Sequence, residues 1–194
     1  MKKIALILFC ITFGSSLYAQ EIQLKKALIL IDIQDFYFPQ GDLPLHEPLE
    51  AAMKAASILD RFRRNGELVI HVRHAYEPGG NINKLVQPLE DEKVVTKEQV
   101  NAFLETDLLE YLRQNEIKEL VLCGMQTHMC LEAATRAGHD FGYECIVIAN
   151  ACATRDLNFG DKTVAAQDVQ ASTLATLNRT YAKVISAEEF LSEP

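Results

Sequence analysis

The 194-residue chain has no dense run of lysine or arginine, and its 27 acidic residues outnumber 19 basic ones. A basic stripe is the electrostatic footprint of nucleic-acid binding, so that class is excluded and an anionic membrane partner is disfavoured. Nor is there an internal repeat, a low-complexity tract or a Pro/Ser-rich linker to divide the chain. Its length fits one domain with a sizeable core. The apolar run near the N-terminus, Ile4–Phe13, is about half of the ~20 residues that a membrane-spanning helix needs.

What is present begins with that run. Lys2 and Lys3 precede it, and Gly14, Ser15, Ser16 and Ala19 follow. A basic start, a short apolar core and a small-residue exit are the parts of a secretory signal peptide. Residues 1–19 are therefore expected to be removed after Ala19, which leaves 20–194 as one exported domain in a periplasm or outside the cell. Cys10 goes with the leader. Cys123, Cys130, Cys145 and Cys152 remain, an even number that an oxidising compartment would permit to pair. Cys123 and Cys145 sit in apolar runs, where small buried thiols are common, so four free thiols are expected.

Along the mature chain, short β-branched runs alternate with helical patterns. Ala27–Ile31, Leu68–Val72, Lys93–Thr96, Glu119–Cys123, Glu144–Ile148 and Tyr181–Ile185 read as strands. Leu49–Asn65 reads as a helix stopped by Gly66, Leu104–Gln114 as a second, Gly124 to about Phe141 as a turn and third, and Lys162–Leu177 as a fourth. A short acidic segment closes the chain. This alternation indicates an α/β fold with a mainly parallel sheet covered on both faces. In such sheets ligands bind beyond the carboxyl ends of the strands, so the residues just after each apolar run are the ones that matter.

Asp32 follows the first strand in LIDIQDF, Lys97 the third in VVTKEQ, and Cys130 the fourth across a short loop in LCGMQTHMC. Each alone has a plain structural role open to it: a turn cap, a solvated loop cation, a core thiol. Asp35 competes with Asp32, and position at the end of the apolar run favours Asp32. Together the three can do specific chemistry. A thiolate is a competent nucleophile, and a helix start with a nearby ammonium favours it. Asp32 could take the thiol proton and return it to a leaving amine, with an acyl-enzyme between. Backbone N–H groups around Gln126 and Cys130 could hold the oxyanion. His128 lies two residues from Cys130, on roughly the opposite side of a helix, which suits it to a pocket or loop-fixing role. His71 and His74, at i and i+3 on a strand, face opposite sides and do not form a metal pair.

These residues resemble the isochorismatase-like cysteine hydrolases, which include nicotinamidases and N-carbamoylsarcosine amidases. The resemblance runs from LILIDIQDFYFPQGDLPL through VIHVRH and VVTKEQVNAFLETDL to LVLCGMQTHMCLEAATRAGHDFGYECIVIANACATRDL and the final QASTLATLNRTYAKVIS. It implies a three-layer, Rossmann-like αβα fold on a six-stranded parallel sheet. It also implies a catalytic triad of Asp32, Lys97 and Cys130, a cis peptide between Met125 and Gln126, no cofactor, and a homodimer or homotetramer.

The departures bear on substrate. The family's metal-dependent nicotinamidases carry an Asp-x-His pair after the second strand, where this chain reads HVRHAYEPGG without an aspartate. No metal is therefore expected, and nicotinamide is disfavoured. True isochorismatases place another residue where Cys130 stands, which disfavours vinyl-ether hydrolysis. The expectation is a thiol hydrolase of a small amide, ureide or lactam. Phe36, Phe38, His74, Tyr76, Phe103 and His128 are the candidate pocket residues. A redox thiol protein and a non-catalytic binding protein on the same fold are the competing readings.

Overall fold

The computed structural model describes residues 24–193. The expected signal peptide, with Cys10, lies outside them. Six parallel strands form the sheet in the order β3-β2-β1-β4-β5-β8. They are β1 (Lys26–Ile31), β2 (Leu68–His74), β3 (Lys93–Lys97), β4 (Glu119–Met125), β5 (Glu144–Ala153) and β8 (Lys183–Ile185). The central strands are buried on both faces, which is why β1 and β4 are near-continuous apolar runs and not alternating ones. Helix α1 (Pro48–Asn65) and helix α5 (Ala187–Ser192) pack together, and α3 (Glu132–Asp140) packs with α4 (Ala166–Leu177); α2 (Leu108–Gln114) links β3 to β4. The three-layer αβα reading of the sequence holds.

Local chemistry sets the boundaries. Pro48 opens α1, where its missing N–H costs nothing. Gly66 ends that helix at φ +66, with its N–H returned to the last turn. Buried Ala51, Ala52, Ala55, Ile58, Leu59 and Phe62 give α1 its core-facing stripe.

Three sequence expectations need correction, and one segment left without a structure gains one. Residues before Leu108 make turns, so α2 is shorter than expected. The segment after Gln126 is a single π-helical turn, Thr127–Leu131, before α3. Helix α4 begins at Ala166 and not at Lys162; β6 (Leu157–Phe159) and β7 (Lys162–Val164) form an antiparallel hairpin there. The closing acidic segment is helix α5, capped by the Ser186 hydroxyl, which accepts from the Glu189 N–H at 3.0 Å.

The chain crosses from β1 to β2 on one side, and β4 lies on the other. The sheet therefore reverses its order between β1 and β4, the crevice that a doubly wound sheet offers to ligands. At Gly124 the two strands touch: a Cβ there would sit 2.0 Å from the Ile31 carbonyl oxygen, and φ is +128. Only glycine lets β4 pass that close to β1.

Candidate active site

Three strand ends and one helical turn meet at this crevice. Asp32 is the first residue past β1, at φ +48, a left-handed conformation that aspartate tolerates better than most residues. Lys97 is the last residue of β3 and His74 the last of β2. Cys130 lies in the Thr127–Leu131 turn that follows β4, after a cis peptide between Met125 and Gln126. Asp32, Lys97 and Cys130 are 0%, 1% and 6% exposed.

Lys97 ties the group together. Its Nζ lies 2.8 Å from Asp32 Oδ2, 3.1 Å from His74 Nδ1 and 3.3 Å from Cys130 Sγ. An ammonium has three N–H donors and these are three acceptors, so the buried charge is fully satisfied. His74 belongs to this cluster. Burial and the Lys97 charge hold its imidazole below the usual range, so Nδ1 is free to accept. The backbone of His74 is fixed by the buried Gln34 side chain. Its Oε1 accepts from the His74 N–H at 2.7 Å, while Nε2 donates to the carbonyls of His74 and Gly80 at 3.0 and 2.7 Å.

Burial governs the protonation of the group. Burial raises the Cys130 thiol to about 12, and the adjacent Asp32 charge adds to this against the opposing pull of Lys97. The resting sulfur is a thiol and not a preformed thiolate. Burial also raises Asp32 above the ordinary carboxyl value, with Lys97 opposing. The Cys130 thiol lies against this carboxyl group, whose Oδ1 has no N–H or O–H donor among the described residues. A carboxylate made more basic, with an open oxygen beside a thiol, is arranged to receive that thiol's proton.

The turn carrying Cys130 is held from several sides. The Gln126 carbonyl accepts from the amides of Met129 and Leu131, the two that flank Cys130. Gln126 Nε2 donates to the Tyr37 hydroxyl at 3.2 Å, and Gln126 Oε1 accepts from Arg155 Nε at 3.1 Å. Thr127 donates to Gln170 of α4 at 2.5 Å, and Gln170 reaches the carbonyls of Ala149 and Cys152. His128 Nδ1 meets the Thr154 hydroxyl at 2.6 Å, so this histidine is engaged with the end of β5.

The expected pocket residues divide. Phe36 stacks obliquely on Tyr37 and Tyr76, with ring centroids 4.2 and 4.5 Å apart, and makes an aromatic wall next to Gln126. Phe38 lines a neighbouring cleft of about 370 Å³ with Asp35, Phe36, Pro78 and Asn83. Phe103 is not brought to this crevice: its ring packs on Phe141 at 5.3 Å and near Gly138, at the far end of α3 from Cys130. Of the leucines that follow it, Leu108 and Leu112 are buried and Leu104 is exposed. Cys123, Cys130, Cys145 and Cys152 are all buried free thiols. Gln34, Tyr37, Thr154 and Arg155 were not read from the sequence as site residues.

The isochorismatase domain model matches residues 26–189. The chain belongs to the isochorismatase family. Its members are hydrolases, and this chain is a hydrolase of that family. It is 43% identical to the isochorismatase family protein YddQ of Bacillus subtilis, over 87% of this chain and 99% of that one. A solved structure of an isochorismatase hydrolase from Oleispira antarctica is 42% identical and superposes with a TM-score of 0.83, covering 87% of this chain and 97% of the other. The maleamate amidohydrolase of Pseudomonas putida is 28% identical over 64% of this chain and 70% of its own length.

Proposed function

We propose that this isochorismatase-family hydrolase cleaves a C–N bond of a small amide, ureide or lactam through a covalent intermediate on Cys130. The supporting observation is the buried ammonium of Lys97, within 2.8 Å of the Asp32 carboxylate and 3.3 Å of the Cys130 sulfur. Proton transfer from Cys130 to Asp32 neutralises the acid and makes the thiolate, and Lys97 then faces a sulfur anion instead of a carboxylate. The positive charge does not move, so the transfer needs little reorganisation.

The thiolate attacks the substrate carbonyl carbon, and the oxygen gains charge next to the amides of the Gln126–Cys130 turn. As the C–N bond breaks, Asp32 returns its proton to the departing nitrogen. An acyl thioester is left on Cys130. Asp32, again a carboxylate, takes a proton from water, the hydroxide oxygen bonds the acyl carbon, and the C–S bond breaks to restore the thiol. The maleamate amidohydrolase named above carries the same kind of bond cleavage in its name. Purified protein assayed for ammonia release against a panel of small amides and ureides tests the reading. Turnover that survives Cys130→Ala at the wild-type rate would end it.

Two further features complete the proposal. The N-terminal pattern supports export to a periplasm or the medium, checked by N-terminal sequencing of protein from those fractions: a start at Gln20 supports it, and retention of Met1 in the cytosol counts against it. The β6–β7 hairpin supports self-association. Leu157, Phe159, Lys162 and Val164 share one of its faces, and Phe159 is 85% exposed there. An isolated two-stranded hairpin is marginal by itself, and a second copy would cover that apolar face.

A further inference from the structure

Given the thiol-hydrolase reading above, we propose that His74 is a specificity residue whose Nε2–H binds a second carbonyl oxygen of the substrate. The substrate class is then an acylurea, imide or diamide, with a carbonyl beyond the one that Cys130 attacks, and not a simple monoamide. His74 and Lys97 are register partners at the ends of β2 and β3, so their side chains leave the sheet on the same face. The Lys97 Nζ meets His74 Nδ1 at 3.1 Å. An ammonium has only donors, so Nδ1 must accept, and the proton of a neutral ring must then sit on Nε2. Burial and the Lys97 charge hold the imidazole below its usual range, which keeps it neutral. Lys97 thereby turns a group that could donate or accept into a fixed donor.

The mount is rigid and the donor is unspent. Gln34 holds the His74 backbone from both sides, accepting from its N–H at 2.7 Å and donating to its carbonyl at 3.0 Å. Nε2 has no hydrogen-bond partner among the described residues, and the ring is only half-buried. Because Nδ1 faces the buried ammonium, the part of the ring turned away from Lys97 is the part that carries Nε2. The same Nζ lies 3.3 Å from Cys130 Sγ, so imidazole and sulfur flank one cation. That sets His74 beside whatever Cys130 attacks.

A fixed donor selects its ligand by what it rejects. A carbonyl oxygen accepts and brings no hydrogen of its own. A substrate N–H placed at Nε2 would oppose two donors in a desolvated crevice, and a methyl group would leave the Nε2–H unpaired; both are costly. In the mechanism above, the scissile carbonyl oxygen turns to the amides of the Gln126–Cys130 turn. The oxygen that meets His74 is therefore a second one.

The test compares two alkylating reagents on the purified protein, read as the rate of Cys130 labelling by peptide mass spectrometry. Iodoacetamide carries a carbonyl group next to the carbon that sulfur attacks, and allyl iodide carries none. With each, the sulfur–carbon bond forms, iodide leaves, and the thiol proton passes to Asp32. His74→Asn keeps an oxygen to accept from Lys97 but is too short to place a donor where Nε2 stands. It should lower the iodoacetamide-to-allyl iodide rate ratio by about three- to tenfold, the span of one neutral hydrogen bond. His74→Gln, which can place an amide N–H there, should restore part of that loss. If His74 served only to support Lys97, both reagents would slow alike, so an unchanged ratio overturns the proposal while the thiol mechanism stands. On the wild-type protein, long-range nitrogen–proton NMR should find the His74 proton on Nε2 at pH 7, and a proton on Nδ1 overturns the proposal as well. In ammonia release, malonamide should be preferred to isovaleramide, whose isopropyl group replaces the second amide at similar size, and His74→Asn should narrow that preference. A preference for isovaleramide overturns the substrate class. Failure of both reagents to label wild-type Cys130 overturns the thiol mechanism itself.

Discussion

Replacing Lys97 by methionine removes the charge at the centre of the site while keeping most of the side-chain volume. Asp32 is then left fully buried without its cation, since its Oδ2 contact at 2.8 Å is to Lys97. Breaking a buried pair from one side typically costs about 3–5 kcal/mol. A second route caps the penalty: the orphaned carboxyl takes a proton. Holding a carboxyl neutral at pH 7, when its unfolded counterpart ionises near 4, costs at most about 4 kcal/mol, and near pH 5 only about 1.5 kcal/mol. The wild-type carboxyl is itself raised by burial, so the difference between variant and wild type falls below that ceiling. A folded-state value above the unfolded one means stability present at low pH and lost as pH climbs. The destabilisation by Lys97→Met should therefore be largest at neutral pH and shrink toward pH 4. Urea denaturation at pH 5 and pH 7 reads this directly, and 3 kcal/mol is a midpoint shift of about 1–2 M. Adding Asp32→Asn in the same chain should restore most of the loss. A loss independent of pH, or one that Asp32→Asn does not relieve, would refute the reasoning.

Other consequences follow from the same structure. Gly124→Ala puts a Cβ 2.0 Å from the Ile31 carbonyl at φ +128, so it should destabilise by about 3 kcal/mol or more in chemical denaturation. Glu92 is held down to about 2 despite burial, by the Arg63 guanidinium that grips both its oxygens, by the Leu89 N–H and by His71. Its contribution, up to about 3 kcal/mol, should be intact above pH 4.5 and vanish as pH falls toward 2; Glu92→Gln should abolish that part of the acid transition. Phe159→Asp should shift the protein toward monomer in light scattering while leaving its far-UV spectrum unchanged. An unchanged mass would remove the hairpin from the interface.

The strand-end rule made much of the site legible before any coordinates. Asp32 and Lys97 sit at the carboxyl ends of apolar runs, and the helix after β4 brings Cys130 back to them. The same rule missed Thr154 and Arg155 for an identifiable reason. The apolar run of β5 stops at Ile148, but the strand continues through polar Asn150 to Ala153, with an irregular register opposite β4. The residues after its true end thus lie beyond the run to which the rule points. Gln34 and Tyr37 were hidden differently, because each works through backbone or amide groups distant in sequence. Strand β7 reads as part of α4 because Lys162–Val164 continues a helical spacing that only tertiary context breaks. At Cys130 a helix start and one ammonium favour the anion, but burial beside a second anion outweighs them and raises the thiol.

The central claim is that Cys130 carries the acyl group. Once a turned-over amide is in hand, rapid acid quench followed by peptide mass mapping measures it directly. The account predicts a mass increase equal to the acyl fragment, confined to the Cys130 peptide, together with loss of turnover by about a thousandfold or more in Cys130→Ala. A Cys130→Ala enzyme that hydrolyses the same amide at an undiminished rate would contradict it.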